Sequence, residues 1–298
     1  ALDLSERQIR RIVKRVRAEG NRGVLHRSRG RPSNRRLSER LRRKVMGMYR
    51  QHYPDFGPTL ANEKLREIHR IRIGTETLRK WLKEAGWWEE SRRRDPHRRW
   101  RVRKECFGEM VQLDGSHHDW LEGRGPKLVL MGYIDDATNT VYARFYDYEG
   151  TVPAMDSFRR YIRKYGIPQS VYVDRHTTYK SPLQETAADP MASQFGRAMG
   201  ELGVRVIYAY SPQAKGRVER LFGVLQDRLV KEMRLAGVKN REQANRFLDR
   251  YWPGYNRRYR VDPFDRADVH RPVLRGVDLD RIFSIRTHRA IGRDGTVQ

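Results

Sequence analysis

The segment YSPQAKGRVERLFGVLQDR, residues 210–228, marks the point where an extended apolar run ends, a loop with proline and glycine follows, and a long amphipathic helix begins. Its apolar residues recur every three or four positions, which is the spacing of one buried helical stripe: Val218, Leu221, Phe222, Leu225 and Leu229. Glu219 lies beside this stripe, so its carboxylate can face a cleft. Because a first-turn glutamate also interacts favourably with the helix dipole, a functional role depends on partners elsewhere in the chain.

The residues before this helix predict strands. Three short apolar runs in close succession indicate an antiparallel meander: EMVQLDGSHHDW, LVLMGYIDD and VYARFYDY, which begin at Glu109, Leu128 and Val141. A helix at 153–165, a strand at 170–174, a small helix and a strand at 204–210 complete the pattern. We therefore predict an α/β fold over residues 105–260, with a mixed five-stranded sheet and flanking helices, a layout compatible with an RNase H-like core.

Three acidic residues occupy positions from which their side chains could meet. Asp114 lies in the first strand, Asp174 ends the fourth strand, and Glu219 is near the start of the last long helix. Ligands of such sheets bind beyond the carboxyl ends of strands, so the expected cleft is at the Asp174 edge. Converging carboxylates repel one another, and hard divalent cations such as Mg²⁺ or Mn²⁺ are the usual remedy. Two such ions roughly 4 Å apart can support in-line displacement at a phosphodiester.

Other acidic residues and histidines are weaker candidates. Asp135 and Asp136 precede Ala-Thr-Asn, which favours a turn over a ligand role. His117 and His118, followed by Asp119, could suggest a transition-metal site, but adjacent residues of a strand point to opposite faces and do not easily bind one ion.

The 298 residues are enough for one sizeable domain and one or two small ones. A single cysteine, Cys106, excludes a disulfide framework and a cysteine-based zinc site within one chain, and no apolar run has the length required to span a bilayer. We therefore expect a cytoplasmic protein with no membrane partner. The start at Ala1 and the end shortly after an Asp-Gly turn suggest that both termini are trimmed relative to the gene product.

The basic residues are concentrated in the front third of the chain. Of the net charge of +26, residues 1–104 contribute +20, with 32 Lys/Arg against 12 Asp/Glu, whereas residues 105–298 contribute +6, with 31 against 25. Such an excess predicts nucleic-acid binding over a general solubilising role. A membrane surface is a poorer partner, because the charges are spread over several helices and loops.

Residues 1–26 predict a helix that begins at Ser5, in capping-box spacing with Gln8, and stops at Gly20. One face is apolar: Ile9, Ile12, Val13 and Val16. The opposite face is basic, which suggests the recognition helix of a partial helix-turn-helix whose earlier helices precede Ala1; an arginine-rich surface helix is the alternative. The candidate DNA-binding residues are Arg7, Gln8, Arg10, Arg11 and Lys14.

Residues 27–36 have no apolar face and predict an extended basic linker. Within it, Arg29, Gly30, Arg31 and Pro32 resemble the core of an AT-hook, in which glycine lets the backbone sit low in a narrow minor groove and arginines exploit its negative potential. A plain solvated tether is the alternative.

Residues 37–90 predict a second helix-turn-helix domain, with helices at 38–52, at 60–69, and from an N-cap at Thr75 to Gly86. The expected inward residues are Leu41, Val45, Met48, Leu60, Leu65, Ile68, Leu78, Trp81, Leu82 and Ala85. The last helix would present Thr75, Thr77, Arg79 and Lys80 to a major groove. We expect a basic connector over 91–104, and a linker and the start of a small β domain over 261–298, with a hairpin at Asp294-Gly295.

Three motifs, QLDGSHHDW, YVDRHTTY and YSPQAKGRVERLFGVLQ, resemble the acidic motifs of the DDE transposase and retroviral integrase superfamily. The resemblance covers residues 105–260, and the third motif is the most specific, because Pro212, Gly216 and Glu219 have the family's spacing. The front of the chain is similar to bacterial insertion-sequence transposases, which place helix-turn-helix modules before the core. The resemblance implies an RNase H-like fold in which Asp114, Asp174 and Glu219 are the metal-binding triad, with two Mg²⁺ or Mn²⁺ ions.

The second motif departs from the family's common Asp-Asn-Gly, because Arg175 and His176 follow Asp174. The 45 positions from Asp174 to Glu219 also exceed the usual integrase spacing, which suggests a surface insertion in SPLQETAADPMAS. Neither change removes a carboxylate. Residues flanking the site are candidates for phosphate contacts: His176, Gln213, Lys215 and Arg217.

The resemblance implies a DNA transposase that binds transposon terminal repeats, cleaves a strand and transfers it to target DNA, which is transposition with DNA integration and recombination. Since transposition handles two ends, it implies at least a homodimer, acting at the bacterial nucleoid. Two alternatives remain at this stage. One is an RNase H-type nuclease, and the other is a non-catalytic DNA-binding repressor with a remnant core.

Overall fold

The computed structural model describes residues 4–26, 29, 37–89, 102–174, 193–209 and 216–287. The chain divides into two compact units, Ala1–Arg93 and Arg94–Gln298. Within the described ranges, no helix is both long and apolar enough to cross a membrane.

The front unit begins with helix α1, Glu6–Glu19, which has the predicted capping box: Ser5 Oγ accepts from the Gln8 backbone N–H, and Gln8 Oε1 accepts from the Ser5 N–H. A 3₁₀ turn, Gly20–Val24, folds back on α1, and a Cβ on Gly23 would lie 2.4 Å from the Arg15 carbonyl carbon. The apolar face is not buried, since Ile9 and Val13 are 46% and 42% exposed. The pattern therefore predicted the helix but not a core beneath it.

Three further helices, α2 (Glu39–His52), α3 (Pro58–Glu67) and α4 (Thr75–Glu84), surround a small core. Its buried residues include Val45, Tyr49, Leu60, Leu65, Leu78, Trp81 and Leu82. Two expectations are wrong: Ile68 is 56% exposed and Ala85 is exposed. The backbone turns at Arg70, which has φ 58°, and the Ile71 N–H bonds to the Leu65 carbonyl, so Ile71 takes the buried position instead.

The second unit contains one five-stranded sheet. Its strands are β1 (Val111–His118), β2 (Leu128–Asp135), β3 (Val141–Tyr146), β4 (Ser170–Val173) and β5 (Arg205–Tyr208). The order is β3-β2-β1-β4-β5, in which β1 to β3 are antiparallel neighbours and β4 and β5 run parallel to β1. The predicted mixed sheet with an RNase H-like layout is confirmed.

Helices cover both faces of this sheet. Helices α5 (Thr151–Tyr165) and α6 (Gln194–Glu201) pack on the face to which Val111 and Leu113 point. Helices α7 (Gly216–Leu235) and α8 (Arg241–Tyr259) pack on the opposite face. The stripe predicted for α7 is buried there, with Val218, Leu225 and Leu229 fully enclosed. Alternate residues of β1 therefore belong to two different cores, as the pleat of a strand requires.

Helix α8 was not expected from the sequence, and it covers the edge strand β3. The side-chain amide of Asn245 bonds to both backbone groups of Phe145, and that of Asn256 bonds to both backbone groups of Val141. Between them, Trp252 Nε1 donates to the Ala143 carbonyl at 3.1 Å. These contacts satisfy the outward-facing backbone groups that an edge strand otherwise exposes. The polar residues of α8 and its internal Pro253 interrupt the apolar pattern, so the sequence does not predict this helix.

The segment after residue 260, predicted to be a linker and the start of a small β domain, is described as far as residue 287. Its described part makes isolated bridges to the core, Phe107 with Asp268 and Ile167 with Arg271, and then forms a short helix, α9 (Leu279–Ile282). Leu279 and Phe283 are buried in the α5/α6 core, and the Asp278 side chain caps the helix. This helical turn was not predicted from the sequence, because the core that it completes exists only in the folded sheet. The hairpin expected at Asp294-Gly295 lies outside the described residues.

Candidate active site

Asp114 lies on β1, and Asp174 directly follows β4, the strand that pairs with β1 in parallel. The pairing of β1 with β4 aligns Val111 with Val171 and Gln112 with Tyr172. Continuing this register by two residues brings Asp114 level with Asp174, the residue directly after β4. Residues that are level in a parallel pair project to the same face, so both half-buried carboxylates belong to one face of the sheet.

Helix α7 crosses that same face. The ring of Phe222 lies against Gly132, the β2 residue paired with Asp114, and a Cβ on Gly132 would be 2.7 Å from Phe222 Cε1. Further along α7, Gln226 Nε2 donates to Ser116 Oγ of β1 at 3.1 Å. Glu219 precedes Phe222 by three residues, which is nearly one helical turn. The first turn of α7, with the exposed Glu219, therefore lies on this face beside the first half of β1, which carries Gln112 and Asp114.

A buried polar cluster that the sequence analysis missed joins α7 to the sheet. Gln112 Nε2 donates to Asp136 Oδ1 at 2.9 Å, and Gln112 Oε1 accepts from the Val218 backbone N–H at 3.4 Å. The Arg217 guanidinium lies 3.1 Å from the same Asp136 oxygen. Gln112 and Asp136 are fully buried. The sequence does show polar residues close to the candidate ligands, but it does not show that Gln112 and Asp136 are buried, and burial is what identifies the cluster.

The structure places Arg217, one of the predicted phosphate contacts, beside this buried carboxylate. Its side chain is only 12% exposed and is engaged with a fully buried carboxylate. Breaking that pair would leave a buried charge uncompensated, which is costly.

The three carboxylates share a region but do not form a cluster. Among the residues that the structure describes, no three His, Cys, Asp or Glu side chains lie close enough to hold a metal ion. Mutual repulsion of carboxylates opposes such a cluster when no cation is bound. The donor set itself is suitable, because carboxylate oxygens are the preferred ligands of Mg²⁺ and Mn²⁺.

The weaker candidates have structural roles. Asp135 accepts from the Thr138 N–H and hydroxyl and from the Gly108 N–H, which is the expected turn, and burial raises its pKa. His117 and His118 have different partners: His117 Nε2 lies 2.9 Å from Glu149 Oε2, whereas His118 packs edge-on against Trp120.

In the front unit, Arg7, Arg10, Arg11 and Lys14 of α1 are exposed, and Gln8 is occupied by the capping box. In α4, Thr75 is the first helical residue and not the cap, and its Oγ1 accepts from Asn62 at 2.9 Å. Arg79 pairs with Glu76 and lies over the Trp88 ring, Thr77 is half-buried, and the Lys80 side chain is 76% exposed. Lys80 and the arginines of α1 are thus the most accessible of the predicted contacts.

Several predicted contacts are not described by the structure. Arg29 is exposed, but Gly30, Arg31 and Pro32 of the AT-hook-like sequence lie outside the described residues. The same holds for His176, Gln213 and Lys215, which flank the candidate site, and for most of the basic connector.

The chain is 39% identical over 293 residues to a provisionally named transposase, y4bF, of Sinorhizobium fredii, and the match covers 98% of this chain and 64% of that protein. It is 27% identical over 296 residues to the transposase for insertion sequence IS1202 of Streptococcus pneumoniae, with 87% of this chain and 63% of that protein covered. The chain thus spans just under two thirds of the length of these two relatives. No protein-family model matches it.

Among solved structures, the chain is similar to a chain of the simian T-cell lymphotropic virus intasome in complex with PP2A regulatory subunit B56 gamma, with a TM-score of 0.42, 19% identity, and 68% of this chain and 66% of that chain covered. It is also similar to the HTLV-2 integrase catalytic core domain in complex with magnesium, with a TM-score of 0.38, 15% identity, and 48% and 83% covered. These superpositions are limited, and the fold assignment rests on strand order and direction. By sequence, the chain is thus similar, over most of its length, to proteins named as transposases.

Proposed function

We propose that this chain is the DNA-binding and catalytic part of a transposase, which cleaves DNA at the ends of a mobile element and joins the freed ends to target DNA. The proposal is supported by the observed register of β1 with β4: continued by two residues, it would set Asp114 level with Asp174 on the sheet face covered by the helix that bears Glu219. Similarity to named transposases over 98% of the chain supports the same class of reaction.

We assign Asp114, Asp174 and Glu219 as ligands of two divalent cations, because all three offer hard oxygen donors. Bound Mg²⁺ or Mn²⁺ would polarise the phosphodiester and favour deprotonation of the attacking water or hydroxyl. The two aspartates are held by neighbouring strands, so they define where the reacting phosphate lies on the sheet. Glu219 approaches from α7, and the completeness of the ligand set depends on the position of the first turn of that helix.

The proposed chemistry consists of two displacements at phosphorus. Water first attacks the phosphodiester at the element's end, so one P–O bond forms, one breaks, and a 3′-hydroxyl is released. That hydroxyl then attacks a phosphodiester of the target, again with one P–O bond formed and one broken, and no external energy source is required. The chain's own residues contribute binding and orientation in both steps.

The front unit would supply the contacts to double-stranded DNA. The exposed Arg7, Arg10, Arg11 and Lys14 of α1 and Lys80 of α4 can neutralise backbone phosphates. An element has two ends and each chain has one candidate site, so we propose that at least two copies act together.

The decisive experiment compares two charge-neutralising changes on the same helix. Glu219→Gln removes a proposed ligand, whereas Asp227→Asn alters a carboxylate that is 63% exposed and paired with Lys231. On labelled duplex carrying candidate terminal repeats, we expect wild type and Asp227→Asn to cleave and join ends in Mg²⁺. Glu219→Gln, Asp114→Asn and Asp174→Asn should bind the ends normally but show no detectable cleavage.

The same assay separates the alternatives. Cleavage of an RNA–DNA hybrid without strand transfer would favour an RNase H-type nuclease. Metal-independent binding of the ends without cleavage by wild type would favour a repressor. Strand transfer by Asp174→Asn would contradict the site assignment.

Binding of the front unit to DNA should depend steeply on salt. Each neutralised phosphate adds about −0.9 to the slope of log K against log salt concentration, so Arg11→Ala should make the slope shallower by about 1 and weaken binding to any sequence. The matched control is Arg11→Lys, which keeps the positive charge at the same exposed position and should leave the slope unaltered. An unchanged slope for Arg11→Ala would show that this face of α1 does not contact DNA.

A further inference from the structure

Gln112, Asp136 and Arg217 form a polar cluster between the sheet and α7. The amide of Gln112 uses its nitrogen to bond Asp136 and its oxygen to accept from the Val218 N–H. Arg217 closes the cluster by pairing with the same Asp136 oxygen. Three segments therefore meet here: β1, the residue after β2, and the first turn of α7.

Burying these charged and polar groups costs more desolvation free energy than filling the same space with apolar side chains. A buried carboxylate is tolerated only when it is paired and hydrogen-bonded, and apolar packing of equal volume is often no less stable. What a satisfied polar cluster adds is a specific geometry, since its bonds form in one arrangement only. The first N–H groups of a helix also have no partner within the helix, and Gln112 satisfies that of Val218.

The cluster is adjacent in sequence to two of the proposed metal ligands. Gln112 precedes Asp114 by two residues and points to the same face of β1. Arg217 and Val218 directly precede Glu219 in α7. We propose that Gln112, Asp136 and Arg217 are positioning residues that set the first turn of α7, and with it the Glu219 carboxylate, against the strand that carries Asp114. This inference rests on the proposed function.

Asp136 has a further contact that affects the choice of test. Its Oδ2 accepts from the Lys104 N–H at 2.9 Å, and Arg103 Nη1 lies 3.3 Å from its carbonyl oxygen. A change of Asp136 would therefore also release the segment that enters the core at Lys104. Gln112 and Arg217 are therefore the positions chosen for the test, since Gln112 bonds to Asp136 and to the Val218 N–H, and Arg217 pairs with Asp136.

The test measures metal affinity and not only turnover. We would titrate Mn²⁺ into the full chain by calorimetry and record the thermal unfolding midpoint with and without Mn²⁺. For Gln112→Met and Arg217→Met we expect the Mn²⁺ affinity to fall about 10-fold or more, the scale seen when groups that orient metal ligands are removed. The Mn²⁺-dependent rise in the unfolding midpoint should shrink accordingly.

The matched control is Gln226→Met. It removes the other side-chain hydrogen bond between α7 and β1, that of Gln226 to Ser116, about two turns beyond Glu219. We expect it to lower the unfolding midpoint in the absence of metal. The Mn²⁺ affinity should stay within about twofold of wild type, because this contact does not orient a proposed metal ligand. An equal loss of affinity in Gln226→Met would show that any loosening of α7 is sufficient, and would overturn a specific positioning role.

Wild-type Mn²⁺ affinity in folded Gln112→Met and Arg217→Met would also overturn the inference. Should either variant fail to fold, Arg217→Lys provides the test, because it keeps the charge opposite Asp136 but loses the planar fork of the guanidinium. It should show an intermediate loss of affinity, and unchanged affinity would count against the proposal. Failure of wild type to bind Mn²⁺ would overturn the proposed function as well, whereas loss of binding in Asp174→Asn but not in the cluster variants would overturn this inference alone.

Discussion

Helices α1 and α7 have similar sequence patterns but differ in burial. Both are amphipathic, with apolar residues at helical spacing and an acidic residue in the first turn. Yet no residue of α1, all of which is described, is buried, whereas α7 buries eight residues on the sheet, including Val218, Leu225 and Met233. Periodicity therefore identifies which face of a helix can be buried, but not whether anything covers it.

The same difference separates the two kinds of candidate site. The basic face of α1 is exposed and needs only charge to attract a phosphate backbone. The carboxylate of Glu219 must reach a defined place on a sheet, and a buried stripe, a close contact at Gly132 and polar ties to β1 hold its helix there. A DNA-binding surface tolerates loose placement, whereas a metal site does not.

The largest expected effect comes from removing equivalent apolar side chains from the two helices. Leu225→Ala should lower the free energy of unfolding of the core unit by about 2–5 kcal/mol, because Leu225 is fully buried between α7 and the sheet. Val13→Ala, at a position that is 42% exposed, should change stability by less than about 0.5 kcal/mol. Denaturant unfolding of both variants measures the contrast, and equal losses would mean that the face of α1 is covered in solution.

A smaller effect is expected where α7 touches the sheet. Gly132→Ala adds a methyl group 2.7 Å from Phe222 Cε1, which should cost about 1–3 kcal/mol and displace the helix that carries Glu219. Combining it with Phe222→Ala should recover part of that loss, because the two groups occupy the same space. A double-mutant cycle in denaturant gives the coupling, and strictly additive losses would show that the contact does not limit the approach of α7.

The smallest effect concerns the cap of α1. Ser5→Ala removes the side-chain acceptor of the Gln8 N–H and should destabilise that helix by about 1 kcal/mol. Since α1 has no buried residues, the loss should be local: faster amide hydrogen exchange in α1, with the unfolding midpoint of the core unit unchanged. A shifted midpoint for the core unit would contradict this.

Much of the core could be predicted from the sequence. The strands that carry Asp114 and Asp174 are short apolar runs bounded by turn residues, and the stripe of α7 has a clear helical period. The motif spacing then suggested which carboxylates belong together. Each of these signals lies within about ten to twenty residues, the range over which periodicity is informative.

Other features could not be predicted, because their causes are distant in sequence. The asparagines of α8 look like surface residues until the open backbone groups of β3, about 100 positions earlier, are placed beside them. No core position was predicted for Leu279 and Phe283, which fill the core formed by α5 and α6. Arg217 looked like a phosphate contact, and its counter-charge is Asp136 at the end of β2.

Local sequence was thus sufficient for the elements of the core, for the basic character of the front unit and for the identity of the three candidate carboxylates. Their relative placement required the folded sheet, because strand register brings Asp114 level with Asp174 and because the stripe and polar ties of α7 determine where Glu219 lies. Hydrophobic periodicity acts along the chain, whereas pairing, burial and counter-charge are properties of residues that meet only after folding.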